Sequence, residues 1–226
     1  MKLSIIIPAL NEEAGIQKTI KQIPVSKFKR MGYSVEIIVV DNGSTDNTAR
    51  VSREAGAKVV SQPIRGYGNA YKKGFAHAKG DIIATGDADM TYPFDALPDI
   101  LGIMKQGEFD FISTDRLSQL DPKAMTFSHI WGNRLLTVMT KVLFGVPFRD
   151  SQSGMWIFKR SILTKINAHS GGMPFSQELK IEAYIKGFKC TEVPIEYRVR
   201  VGEVKLNTIK DGWGNILQLL KKRLTS

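Results

Sequence analysis

Leu3-Ser-Ile-Ile-Ile-Pro-Ala-Leu-Asn-Glu-Glu13 decides the fold. An aliphatic run without polar alternation predicts a strand, Leu3–Pro8, covered on both faces, as strands of parallel sheets are. Asn11-Glu12-Glu13 then supplies a cap and first-turn acids for a helix over Glu12–Ile23. The same order recurs along the first half. Strand Glu36–Val40 leads through Asp41-Asn42-Gly43-Ser44 into a helix ending near Ala55. Strand Lys58–Ser61 leads through a glycine-bearing loop, Arg65–Asn69, into helix Ala70–Ala78. Strand Asp81–Thr85 precedes helix Pro93–Lys105, and Phe109–Thr114 is a further strand. Strands separated by helices of this length require right-handed crossovers and predict an α/β fold, a mainly parallel central sheet flanked by helices.

Beyond Asp115 the pattern changes. The expected elements are helix Thr126–Phe144, strand Met155–Phe158, helix Ser176–Lys186, strand Thr191–Tyr197 and an amphipathic helix, Asp211–Leu224. With no internal repeat, low-complexity tract or Pro/Ser-rich linker, residues 1–226 read as one domain, with halves meeting near residue 115.

In such sheets ligands gather at the carboxyl ends of strands. Four polar clusters follow predicted strands: Asn11-Glu12, Asp41-Asn42, Asp87-Ala88-Asp89 and Asp115-Arg116. Two carboxylates spaced as Asp87 and Asp89 suit a hard divalent cation, Mg²⁺ or Mn²⁺, which would bridge phosphate oxygens. An isolated Asp-x-Asp is equally a solvated turn. Here Ile82-Ile83 is buried strand before it and Pro93 enforces a turn after it.

The formal charge is +10, and the 29 residues from Arg198 carry seven Lys/Arg against two acids. That balance favours anionic partners. No recognised nucleic-acid motif accompanies the charge, so a nucleic-acid module is only a remote alternative. No stretch reaches the ~20 apolar residues of a membrane span, and the N-terminus lacks the features of a signal peptide. Cys190 is the only cysteine. It cannot form an intrachain disulfide and reads as a packing residue.

Together Ser4-Ile-Ile-Ile-Pro-Ala-Leu-Asn-Glu-Glu13, Val40-Asp-Asn-Gly-Ser-Thr-Asp-Asn-Thr48, Arg65-Gly-Tyr-Gly-Asn-Ala70 and Gly86-Asp-Ala-Asp-Met-Thr-Tyr-Pro93 form an ordered set. It continues with Arg116, Asp150-Ser-Gln-Ser-Gly154, Glu178, Glu192-Val-Pro-Ile195 and Val201-Gly-Glu-Val-Lys-Leu206. The set resembles the inverting family 2 glycosyltransferases of the GT-A fold, a Rossmann-like architecture. Within them it is similar to polyprenyl-phosphate (dolichyl-phosphate) mannose and glucose synthases. The resemblance implies a nucleotide-binding half, residues 1–115, and an acceptor-binding half, residues 116–226. Pro8, Ala9, Asn11, Glu12, Asp41, Asp87, Ala88 and Asp89 would bind the nucleotide-sugar, Asp41 at the base. Asp87 and Asp89 would hold the metal. Asp89, Arg116 and Glu178 would serve catalysis, Arg116 facing phosphates or sugar. Arg198, Arg200 and Lys205 would bind the acceptor phosphate. Three positions depart from the family pattern: Asn42 where a second acid is usual, Thr91 where mannose synthases often have Gln, and Val204 in place of Ser.

The expected reaction moves a hexose from UDP-glucose or GDP-mannose to a polyprenyl phosphate, with inversion. A hydroxyl acceptor needs a general base, whereas a phosphate monoester, with its second pKa near 6, is already largely dianionic at neutral pH. It needs cations instead, and Arg198, Arg200 and Lys205 suit that task. Transfer to a sugar or lipid hydroxyl is the alternative. A lipid acceptor implies a peripheral position on the cytoplasmic membrane face. The Asp211–Leu224 helix fits either core packing or bilayer contact through Trp213 and Lys221-Lys222-Arg223. Thr126–Phe144 is expected to pack on the core. Oligomeric state is not readable.

Overall fold

The opening run forms strand β1 (Lys2–Ala9), an interior strand of a seven-stranded sheet, in a computed structural model that describes residues 1–202 and 208–225, the latter segment's residues 208–211 and 225 by backbone alone. The strands are β1, β2 (Ser34–Asp41), β3 (Lys58–Ser61), β4 (Ile82–Thr85), β5 (Phe111–Asp115), β6 (Trp156–Lys159) and β7 (Cys190–Pro194), in the order β3-β2-β1-β4-β6-β5-β7. All neighbours pair in parallel except β6, which runs antiparallel between β4 and β5. The expectation of a mainly parallel sheet therefore holds, with one reversed strand in its second half.

The helices are α1 (Glu13–Gln22), α2 (Val25–Arg30), α3 (Thr48–Glu54), α4 (Tyr67–His77), α5 (Leu97–Gln106), α6 (Phe127–Phe144), α7 (Phe175–Ile185) and α8 (Thr208–Thr225). The β1 sequence is aliphatic throughout because both faces are covered. Leu3, Ile5 and Ile7 join the core beneath α1, α2 and α5, whereas Ile6 joins the core of α4 and α7 on the other side. Several boundaries differ from the sequence reading, and helix α2 was not expected. The stretch Pro93–Lys105 divides into a 3₁₀ turn, Phe94–Ala96, and α5. Helix α4 begins at Tyr67 rather than Ala70. Strand β7 stops at Pro194 instead of continuing to Tyr197, its last bond to β5 running from Ile195 N to Asp115 O at 3.0 Å.

Helix α6 corrects a larger expectation. Phe127, Trp131, Leu135, Val138 and Val142 lie at helical spacing on its outer side and are exposed, Val142 by 78%. Only the opposite side, with Leu136, Thr137 and Thr140, is buried. The helix has apolar residues nearly all round, and its neighbours, α7 and α8 among them, cover just one side. Helix α8 packs against α6, burying Leu219 and leaving Trp213, Leu217, Leu220 and Leu224 exposed. Lys222, expected at headgroups, is buried and ion-paired with Glu182. A relay of amides also fastens α8. Gln152 Nε2 donates to Gln177 Oε1 at 2.9 Å, and Gln177 Nε2 donates to Asn215 O and Gln218 Oε1, both at 2.8 Å.

Candidate active site

Strand ends β1, β2 and β4 open onto a cavity of about 290 Å³. Its walls include Pro8, Ala9, Glu12, Asn42, Tyr67, Asp87, Ala88, Asp89 and Arg200. Seven of the residues expected to bind donor, metal or acceptor thus share one space: Pro8, Ala9, Glu12, Asp87, Ala88, Asp89 and Arg200. A larger groove of about 1030 Å³ lies at the opposite edge, by Met1, Tyr33 and Asp81, where β1 and β4 begin.

The acid pair stands on a tight turn after β4. Met90 between Asp89 and Thr91 adopts φ 72°, a left-handed conformation uncommon for a side chain of its size. That turn lets Asp89 Oδ1 accept from the Thr91 amide at 3.1 Å and from Thr91 Oγ1 at 2.6 Å. Thr91 therefore steadies the acid. The turn is braced from α1, where Thr19 Oγ1 donates to Ala88 O at 2.9 Å. Asp89 Oδ2 remains, and it meets Arg200 Nη1 at 3.0 Å. Arg200 Nη2 also reaches Glu12 Oε1 at 2.5 Å.

Asp87 is different. Its Oδ1 is sealed from water and has no hydrogen-bond partner among the described residues. Burial, and then the charge of Asp89, push its carboxyl up to about 7, although Arg200 and Arg116 pull the other way. A buried carboxylate oxygen with no donor is costly unless something cationic completes it. The charged residues lining the cavity, among those described, are Glu12, Asp87, Asp89 and Arg200. Fully ionised, they fall two positive charges short of neutrality. These donors fit a divalent oxygen-seeking cation that takes its other ligands from water and a substrate's phosphates. No group of three or more His, Cys, Asp or Glu among the described residues could hold a metal by itself.

Asn42 shows why amide replaces acid at that position. Its Nδ2 donates to Gln62 O and Ile64 O, both at 2.9 Å, and its Oδ1 accepts from Gly66 N at 2.8 Å. A carboxylate could not make the first two bonds. The glycine loop is likewise committed to the chain itself. A Cβ on Gly66 would lie 2.3 Å from Gly171 O, and one on Gly68 2.2 Å from Ser170 O. The two glycines thus admit the backbone of the 170–171 segment, and Met173, just beyond it, reaches the cavity wall.

Other expected site residues sit off this cavity. Asn11 Oδ1 accepts from Thr45 N, joining the loops after β1 and β2, and Asp41 Oδ1 accepts from Ser44 N. Glu178 is buried and accepts from the amides of His169 and Ser170 at 3.1 and 2.8 Å, holding the segment that closes over Gly68. Arg198 forms a two-pronged pair with Asp95 at 2.9 and 3.0 Å. Arg116 is buried in a two-pronged pair with Asp150, Nε to Oδ2 at 2.7 Å and Nη2 to Oδ1 at 3.0 Å. Burial opposes ionisation of Asp150, but the Arg116 charge outweighs it and holds the carboxyl below its ordinary range. Lys205 and Val204 lie outside the described residues. Tyr67, Met173 and Leu10 were not anticipated on the cavity wall. Tyr67 stood in a quoted motif, but Met173 follows no strand and carried no signal. Burial pushes the Cys190 thiol up to about 12, in keeping with a packing role.

Residues 4–166 match the glycosyl transferase family 2. The chain belongs to that family. A low-salt glycan biosynthesis hexosyltransferase of Haloferax volcanii, Agl6, is 37% identical over 221 residues, which are 96% of this chain and 53% of that protein. The chain thus spans about half the length of that relative. A dolichyl-phosphate hexose transferase of the same organism is 31% identical over 93% of this chain and 89% of its own. An undecaprenyl-phosphate 4-deoxy-4-formamido-L-arabinose transferase of Edwardsiella ictaluri is 35% identical, over 92% and 64% respectively. Among solved structures, glucosyl-3-phosphoglycerate synthase of Mycobacterium tuberculosis with Mn²⁺, UDP and glucosyl-3-phosphoglycerate superposes with a TM-score of 0.74 at 25% identity. That match covers 98% of this chain and 79% of the other. The family 2 chain therefore has the GT-A fold expected from its sequence.

Proposed function

We propose that this family 2 chain transfers a hexose from a nucleoside-diphosphate sugar, UDP-glucose or GDP-mannose, to a polyprenyl phosphate, with inversion. The carrying observation is the cavity at the ends of β1 and β4, where Asp87 presents an unpartnered buried carboxylate oxygen beside Asp89 and under Arg200. Asp87 and Asp89 would hold Mg²⁺ or Mn²⁺, which when bound neutralises charge on the departing diphosphate. The relatives point the same way: two are named for a polyprenyl phosphate, and solved neighbours contain UDP with Mn²⁺ or Mg²⁺.

The chain's own residues account for the rest. Thr91 fixes Asp89 so that Oδ2 faces the cavity. Arg200 enters from the facing segment, where a cation can meet an incoming phosphate. No dedicated base is needed, because a phosphate acceptor arrives already ionised. Glu178, Arg198, Asn11 and Asp41 stay in this reading as expected contributors and Lys205 as an acceptor contact, while Arg116, engaged by Asp150, serves as scaffold.

The membrane surface belongs to the same proposal, at the cytoplasmic face. No described helix is long and apolar enough to cross a bilayer. Instead α6 and α8 side by side expose Phe127, Trp131, Val142, Trp213 and Leu224. Helix α6 contains no acidic residue, and Arg134, Lys141, Lys221 and Arg223 are exposed on the two helices. Aromatic and aliphatic side chains flanked by cations suit an interface of anionic lipid.

The deciding experiment incubates the protein with Mn²⁺, a polyprenyl phosphate and radiolabelled nucleotide-sugars. Label should enter the organic phase in a product labile to mild acid. A product stable to mild acid and alkali would replace this reading with transfer to a hydroxyl. Trp131→Glu with Val142→Glu should abolish sedimentation with phosphatidylglycerol vesicles, and unaltered sedimentation would remove the membrane reading.

A further inference from the structure

Asp89 divides its two oxygens. Oδ1 is occupied by Thr91 through both its amide and its hydroxyl. Oδ2, which faces the cavity, is held by Arg200. The oxygen that a cation would need is thus the one already bound to a guanidinium. Arg200 also spans to Glu12, so one positive side chain bridges the acids from two strand ends. Its Nε is buried and has no partner among the described residues, which marks a guanidinium that is only partly satisfied where it lies.

The backbone on either side is anchored. Arg198 N donates to Thr91 O at 3.0 Å and Val201 N donates to Asp89 O at 2.9 Å. The segment carrying Arg200 is thereby strapped across the acid turn itself. A rearrangement at this place is one of the side chain, pivoting on a backbone that stays attached.

We propose that Arg200, tied also to Glu12, holds the place of the divalent cation on Asp89, and that its displacement by the metal-bound donor frees it to bind the acceptor phosphate. The inference rests on the metal-dependent transfer described above and adds an order of binding. A guanidinium and a dication cannot comfortably share one carboxylate oxygen, because their charges repel at that separation. Donor with metal therefore enters first and creates the phosphate site. The acceptor, by taking up Arg200, in turn keeps it off Asp89. Linkage requires the effect to be reciprocal, so acceptor binding tightens metal binding by the same factor.

The test measures Mn²⁺ affinity of the full chain by calorimetry, first alone and then with UDP. Arg200→Gln should bind Mn²⁺ tighter than the wild type by about fivefold or more, the lower range of such couplings. Wild-type protein should bind citronellyl phosphate, a short soluble prenyl phosphate, only when Mg²⁺ and UDP are present, and Arg200→Gln should not bind it at all. A second measurement needs no variant beyond the one used for assignment. The Nε–H resonance of Arg200 should shift when Mg²⁺ and UDP are added and shift again with citronellyl phosphate. Equal or weaker Mn²⁺ binding by Arg200→Gln, or a resonance unmoved by Mg²⁺ and UDP, overturns the proposal and leaves metal-dependent transfer standing. Absence of Mn²⁺ binding in both proteins overturns the two together.

Discussion

Two arginine–carboxylate clusters stand at the same edge of the sheet and could hardly be more different in how fully they are satisfied. Around Asp150 every side-chain oxygen is engaged. Oδ2 accepts from Arg116 N and Nε, and Oδ1 accepts from Arg116 Nη2 and Gln152 N. Lys180, fully buried, donates to Asp150 O at 2.6 Å. Among the described residues, one oxygen of Asp87 has no partner, and Arg200 Nε has none either. Buried charge is tolerated when paired and hydrogen-bonded, and is expensive otherwise. The saturated cluster therefore reads as scaffold. The deficient one reads as a place built to be completed by a ligand.

That contrast can be broken by substitution. The largest effect should come from Asp89→Ala, with transfer falling about a thousandfold or more, the several kcal/mol a Lewis-acid cation supplies. Its thermal midpoint should stay close to the wild type. Wild-type turnover in this variant would remove the metal role of the deficient cluster. Asp150→Ala should act the other way round, on stability. It strands a buried guanidinium, and urea denaturation should show a loss of about 3–5 kcal/mol. A normally stable Asp150→Ala protein that had lost transfer would put Arg116 into the chemistry and erase the distinction drawn here.

The smallest effect sharpens the comparison through pH. The Asp87 carboxyl is raised to about 7 by burial first and by Asp89 second. Between the ordinary carboxylate range and that value the folded chain binds more protons than the unfolded chain. Stability from this group is therefore complete in acid and declines as pH rises toward 7. Asp87→Asn, neutral and of the same shape, should melt a few degrees higher than wild type (~2–4 °C per kcal/mol for a chain of this size) at pH 8 in EDTA. The advantage should vanish near pH 4. An identical melting temperature across this range would show that the carboxylate carries no strain without its cation.

The strand ends and the convergence of Glu12, Asp87 and Asp89 were legible because they depend on local patterns, aliphatic runs followed by polar turns. Parallel pairing followed from the intervening helices. The reversal of β6 was not legible, since nothing in Trp156–Lys159 distinguishes its direction. Nor was the outward stripe of α6, because an apolar helix looks alike whether its neighbours cover one side of it or all. Partnerships across long separations were also hidden. Arg116 meets Asp150, 34 positions away, and Arg198 meets Asp95, 103 positions away. A sequence shows that an arginine is present and not whether its charge is already engaged. Asn42 and Thr91, read from sequence as departures from a family pattern, gained a physical meaning once their bonds were visible: one stitches two loops, the other aims an acid.

The amide relay from Gln152 through Gln177 to Asn215 and Gln218 has a mechanical consequence. The turn that begins at Asp150 is wired to the last helix, so α8 works as a keystone for the second half of the molecule. Trimming the chain before residue 208 would take both acceptors from the Gln177 amide and open the surface beneath α8 to water, and would slacken the footing of Arg116 from a distance.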